Sequence, residues 1–97
     1  MEERIQLKHP AGKHAVTISK EKYEMMKMAI LRSLEKNSEL MHTEMVLAVN
    51  DYFKKNKIKF VGATEWYMES VKLDLEANKL IERISGVRSQ KHKWKLI

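Results

Sequence analysis

Two clusters of cationic side chains, four histidines and a helix-spaced set of carboxylates are the residues of this chain with chemistry to offer. Lys54, Lys55, Lys57 and Lys59 form one cluster; Arg83, Arg88, Lys91, His92, Lys93 and Lys95 form the other. Residues 51–61 hold four Lys against one Asp, and residues 80–97 hold five Lys or Arg against one Glu. Ammonium and guanidinium groups at such density are suited to phosphate oxygens, provided the fold brings them to a common surface. Between them, residues 62–79 hold four acids and two lysines.

The remaining polar residues point away from catalysis. His9 and His14 bracket a turn, but no third metal ligand follows from the sequence, so no metal site is expected. His42 precedes a helix, and His92 would add to the positive cluster below about pH 6.5. Glu65 with Glu69, and Asp74 with Glu76, read as solvated helix acids. Cysteine is absent, which excludes disulfides, thiolate zinc and a thiol nucleophile. There is no glycine-rich phosphate loop, HExxH pair or GxSxG elbow. The expectation is a protein that is not an enzyme, with no cofactor and no small-molecule ligand.

The elements that must position these groups follow from hydrophobic period. Residues 1–18 alternate at Ile5, Leu7, Val16 and Ile18 around His9-Pro10-Ala11-Gly12, which predicts a β-hairpin with a type I turn. Ser19 caps a helix over residues 19–36, with Glu21 in its first turn and Tyr23, Met26, Ile30 and Leu34 as its main stripe. Met25, Met28 and Leu31 add a second apolar strip, to be covered by the N-terminal hairpin or by helix 1 of a second copy in a homodimer. Leu40-Met41 predicts a very short strand. Thr43 is the expected cap of a second helix over residues 43–56, with Met45, Val49, Tyr52 and Phe53 buried.

Ile58 and Phe60 tack an extended link to the core. A third helix over residues 63–78 buries Tyr67, Met68, Val71 and Leu75, and its outward face should show Glu65, Glu69, Lys72, Glu76 and Lys79. Trp66 and Trp94 read as core or core-edge residues. After the third helix the period drops to two, with Leu80, Glu82, Ile84, Trp94 and Leu96 alternating around a polar tip that contains Gly86, so residues 80–97 predict a basic hairpin. Hydrophobic content of 43% with 33% charged residues fits one α+β, mainly helical domain over residues 1–97. The start, MEERIQLKHP, lacks a signal-peptide core and no window spans a membrane, so a cytoplasmic home is expected.

From Ser19 onward the order helix, short strand, helix, turn, helix, hairpin resembles a winged helix-turn-helix domain. Trp66 and Tyr67 opening the third helix, Val71 and Leu75 within it, Leu80-Ile81-Glu82-Arg83 leaving it and Trp94-Lys95-Leu96 closing the hairpin carry that resemblance, which is greatest to a small bacterial family of this fold. The resemblance implies a double-stranded DNA-binding protein of the transcriptional-regulator type. Its third helix would approach the major groove and its wing the backbone. The positions that would meet DNA are Lys54, Lys55, Lys57, Lys59, Thr64, Lys72, Arg83, Arg88, Lys91, His92 and Lys93. Carboxylates on the third helix oppose phosphate, so the wing and the lysine run should lead. The alternative is a winged-helix protein-interaction module that binds no nucleic acid.

Overall fold

The computed structural model describes residues 3–13, 15–85 and 92–97. His14 and the wing tip, with Gly86, Arg88 and Lys91, lie outside the described residues. The architecture is α+β and mainly helical: β1 (Arg4–Gln6), β2 (Thr17–Ser19), α1 (Lys20–Asn37), β3 (Glu39–Met41), α2 (His42–Lys55), α3 (Thr64–Ala77), β4 (Ile81–Ser85) and β5 (His92–Leu96). Two small antiparallel sheets accompany the helices, one β1-β2 and the other ordered β3-β5-β4. Three helices, a C-terminal hairpin joined by the short strand after α1, and an added N-terminal hairpin make up the winged helix-turn-helix arrangement. No described helix is long and apolar enough to cross a membrane.

Local chemistry sets each helix end. Ser19 Oγ accepts from the Lys22 N–H at 3.2 Å, so α1 starts one residue after its cap. Ser38, at φ 62°, ends the helix by returning its N–H to the Leu34 carbonyl. α2 begins at His42 rather than after Thr43. Its cap is Met41, whose backbone N–H donates to Glu44 Oε1 at 2.9 Å, a bond not open to a cap at Thr43, where the residue three positions on is Val46. α2 and α3 end alike: Lys57 and Lys79 take positive φ, and the N–H groups of Ile58 and Leu80 donate to Phe53 and Leu75.

One core joins the layers. Met26, Ile30 and Leu34 of α1, Met45, Val49 and Phe53 of α2, and Met68, Val71 and Leu75 of α3 meet Leu40, Ile81 and Trp94 of the sheet, while Leu7 and Ile18 enter from the N-terminal hairpin. That hairpin has the expected turn, with the Gly12 N–H donating to the His9 carbonyl at 2.9 Å and Ile5 opposite Ile18. Met25 and Leu31 pack against the core, and Met28 stays exposed.

The wing departs from the expected register. Leu80 completes the end of α3, so the strand begins at Ile81, opposite Leu96, with Arg83 opposite Trp94. Ile81 therefore faces the core, where Leu80, Glu82 and Ile84 were expected to mark one face. A one-residue offset turns every side chain over.

The link between α2 and α3 is pinned by an aromatic series in which Phe60 stacks on Phe53 at 5.2 Å and meets the edge of Tyr67 at 5.3 Å. Gly62, at φ 125°, lets the backbone pass beside Tyr67, where a Cβ would lie 2.8 Å from the ring. Gly62→Ala combines a disfavoured φ with overpacking and should cost about 2–3 kcal/mol, read as a lower urea midpoint at unchanged m value.

Candidate nucleic-acid interface

The third helix keeps Glu65 and Glu69 exposed on its outer face, as its sequence predicts, with Glu76 half-buried, but Lys72, expected among them, is internal. Lys72 is only 4% exposed, with Nζ 3.7 Å from the centroid of the Trp94 ring and 3.0 Å from His42 Nδ1. His42 Nε2 in turn lies 2.9 Å from Glu65 Oε2, and Trp94 Nε1 donates to Glu76 Oε1 at 2.9 Å. One proton arrangement satisfies these contacts with a neutral imidazole: Nε2–H donates to Glu65, and Nδ1 accepts from the Lys72 ammonium. Lys72 is thus an internal cation rather than a groove contact. Its expected place among the DNA-facing residues is corrected by its position one step from Met68 and Leu75 on the buried side of α3.

Asp74 lies on the opposite flank of α3 and is also buried, accepting from the Tyr23 hydroxyl at 2.7 Å and the Lys8 N–H at 2.8 Å. Of the four acids in α3, Glu69 alone is exposed without a hydrogen bond or ion pair among the described residues. Glu65 is exposed and bonded to the His42 ring, and Glu76 is half-buried and accepts from the Trp94 indole. The exposed Glu65 and Glu69 carboxylates therefore oppose a phosphate at α3, as the sequence implies.

Burial pushes the Lys72 pKa down to about 8, with the nearby Arg83 charge acting the same way and Glu69, Glu76 and Glu65 opposing it. Between pH 8 and 10 the unfolded chain keeps this proton while the folded chain releases it, so stability rises with pH. Urea titrations should show a gain on the order of 1–3 kcal/mol across that window, absent in Lys72→Met. Above pH 10 the trend reverses. Burial, followed by the hydrogen bond to Asp74, raises the Tyr23 phenol well above its ordinary range, and an unfolded tyrosine ionises where the folded one does not.

The expected cationic contacts separate into two groups. Lys54 and Lys55 occupy the last turn of α2, and Lys57 and Lys59 follow it, all exposed. Lys55 is held by Asp51 at 3.0 Å, which raises its pKa. Lys54, Lys57 and Lys59 make no ion pair among the described residues. On the wing, Arg83 and Lys93 are exposed, His92 is half-buried with a sealed Nδ1, and Lys95 pairs with Glu82 at 3.3 Å. Thr64 opens α3 and is half-buried. Arg88 and Lys91 lie outside the described residues.

Lys93 is paired with Met41, the residue just before α2, whereas the lysine run follows the other end of that helix. A helix of 14 residues spans roughly 20 Å, so the described cations flank α2 instead of merging into one patch.

His42 is the group that sequence reasoning passed over. Nothing in its neighbourhood marked it, because both its partners come from α3, 23 and 30 positions away. His9 has a local role: its Nδ1 accepts from the Ala11 N–H and supports the turn. Trp66, expected at the core edge, is 46% exposed and meets Tyr67 edge-on at 4.9 Å. No curated protein and no solved structure matches the chain. Its residues 4–92 match the family of unknown function DUF6958, and the chain belongs to that family.

Proposed function

We propose that this protein binds double-stranded DNA as a cytoplasmic winged-helix protein of the transcriptional-regulator type, gripping the phosphate backbone with Arg83, Lys93 and the wing on one side and Lys54, Lys57 and Lys59 on the other. The observation that supports this reading is the set of exposed cations flanking α2, Arg83 and Lys93 on the wing side and Lys54, Lys57 and Lys59 at the other end, which make no ion pair among the described residues. The major groove is about 12 Å wide, and long lysine side chains from groups roughly 20 Å apart can reach its two phosphate rows. The assigned contacts are four lysines and one arginine, suited to phosphate, so sequence preference is weak and the affinity is mainly electrostatic.

Fluorescence anisotropy of a labelled random-sequence duplex at low salt tests the reading. Micromolar binding is expected. A flat titration would overturn it and leave the protein-interaction reading, for which the acidic α3 and the methionine strip are the natural contact surfaces. The strip weakens that rival, since Met25 and Leu31 pack against the core, whereas Glu65 and Glu69 keep the acidic face exposed.

A further inference from the structure

We propose that the cleft between the N-terminal hairpin and the first turns of α1 and α3 is a binding site for a nucleoside 5′-phosphate, with the base against Trp66 and the phosphate between Arg4 and Lys22. The cleft holds about 320 Å³ and is lined by Arg4, Thr17, Ile18, Ser19, Lys22, Trp66 and Tyr67. That is near the lower end of ligand pockets, roughly 300–1,000 Å³, and suits one nucleotide. Two cations and no carboxylate line it, so it selects an anion. An indole left 46% exposed supplies a flat apolar surface, and a stacked base gains most from such a plate.

The polar groups divide between structure and ligand. Ser19 Oγ is occupied as the α1 cap and Thr17 Oγ donates to Gln6. Arg4 uses one guanidinium nitrogen on the Thr17 carbonyl at 3.0 Å, which fixes the group while leaving its other donors available. Lys22 Nζ lies 3.3 Å from the Tyr67 hydroxyl, a neutral partner that leaves its charge uncompensated. The other large clefts lack this combination: the groove between α1 and α2 mixes Arg32, Lys36 and Lys55 with Asp51, and the one under the N-terminal turn has no Trp, Tyr or Phe in its wall. This site goes beyond the sequence expectation of no small-molecule ligand. It uses none of the residues assigned to duplex DNA.

A free nucleotide and a phosphorylated strand end present the same chemistry. The test follows the two indole N–H signals by NMR in the full chain during titration with adenosine 5′-monophosphate, adenosine, inorganic phosphate and a 5′-phosphorylated oligoadenylate. The monophosphate should shift the Trp66 signal at millimolar concentrations or below, with adenosine and phosphate each at least about tenfold weaker. Tighter binding by the oligoadenylate assigns the site to strand ends, and equal or weaker binding assigns it to free nucleotide. Lys22→Gln, followed by the Trp66 signal, and Trp66→Ala, followed by the backbone amide signals of residues 17–22, should each weaken binding at least about fivefold, with the fold intact by the amide spectrum. A Trp66 signal that stays in place, adenosine matching its monophosphate, or unchanged affinity in Lys22→Gln would each overturn the proposal. Duplex binding that persists in Lys22→Gln separates this outcome from the reading above.

Discussion

Asp74→Ala should lower stability by about 3–5 kcal/mol, the largest single-residue loss expected outside the apolar core. Asp74 is 3% exposed and its carboxylate joins three elements, taking the Tyr23 hydroxyl from α1 at 2.7 Å and the Lys8 N–H from the N-terminal segment at 2.8 Å. Truncation removes both charge-assisted bonds and leaves two donors without acceptors where water enters poorly. Tyr23→Phe deletes one donor and should cost only about 1–2 kcal/mol. In the double variant the losses should fall short of additive, because the ring without its hydroxyl no longer needs the acceptor. Urea unfolding measures all three. A loss below about 1 kcal/mol for Asp74→Ala would mean that water replaces the carboxylate and that the N-terminal hairpin docks by Leu7 and Ile18 alone.

Reversing Lys54, Lys57 and Lys59 to Glu should weaken duplex binding by roughly 10²–10³-fold at low salt and make the salt slope less negative by about 3. Stability should change little, by about 0.5 kcal/mol or less per site, since all three are exposed and without ion pairs among the described residues. Lys55→Gln is the internal control. Its ammonium is already held by Asp51, so it should weaken binding less than loss of a free lysine. If the triple reversal binds duplex like the parent, the run after α2 is solvated surface and contact lies with the wing alone.

Much of the helical frame was legible because apolar spacing and capping chemistry are local. Ser19 with its first-turn Glu21 located α1, and the stripe Met68, Val71 and Leu75 located α3, each helix end falling within one residue of expectation. The strand at Leu40-Met41 was visible as two apolar residues after a helix break. What stayed hidden depends on partners distant in sequence. Lys72 and Asp74 stand at the borders of the apolar stripe, where an ionisable residue ordinarily reaches water. They are buried because His42 and Trp94 in one case, and Tyr23 and Lys8 in the other, arrive from other elements.

Trp66 did carry a signal. Tyr67, Val71 and Leu75 already occupy one side of the helix, so Trp66 falls in line with Ser70 and Leu73 on a different side. Its neighbours in sequence made it look buried when its helical phase did not. The wing slip is of the same kind, since Leu80 is as apolar as Ile81, and only the C-terminal bond from its N–H to the Leu75 carbonyl assigns it to the helix end.

The most direct measurement is the salt dependence of duplex affinity for the parent chain, followed by fluorescence anisotropy from low to physiological salt. Contact through Lys54, Lys57, Lys59, Arg83 and Lys93 predicts a log-log slope of roughly −4 to −5. A slope near zero, or no binding at the lowest salt, would contradict phosphate recognition by this protein.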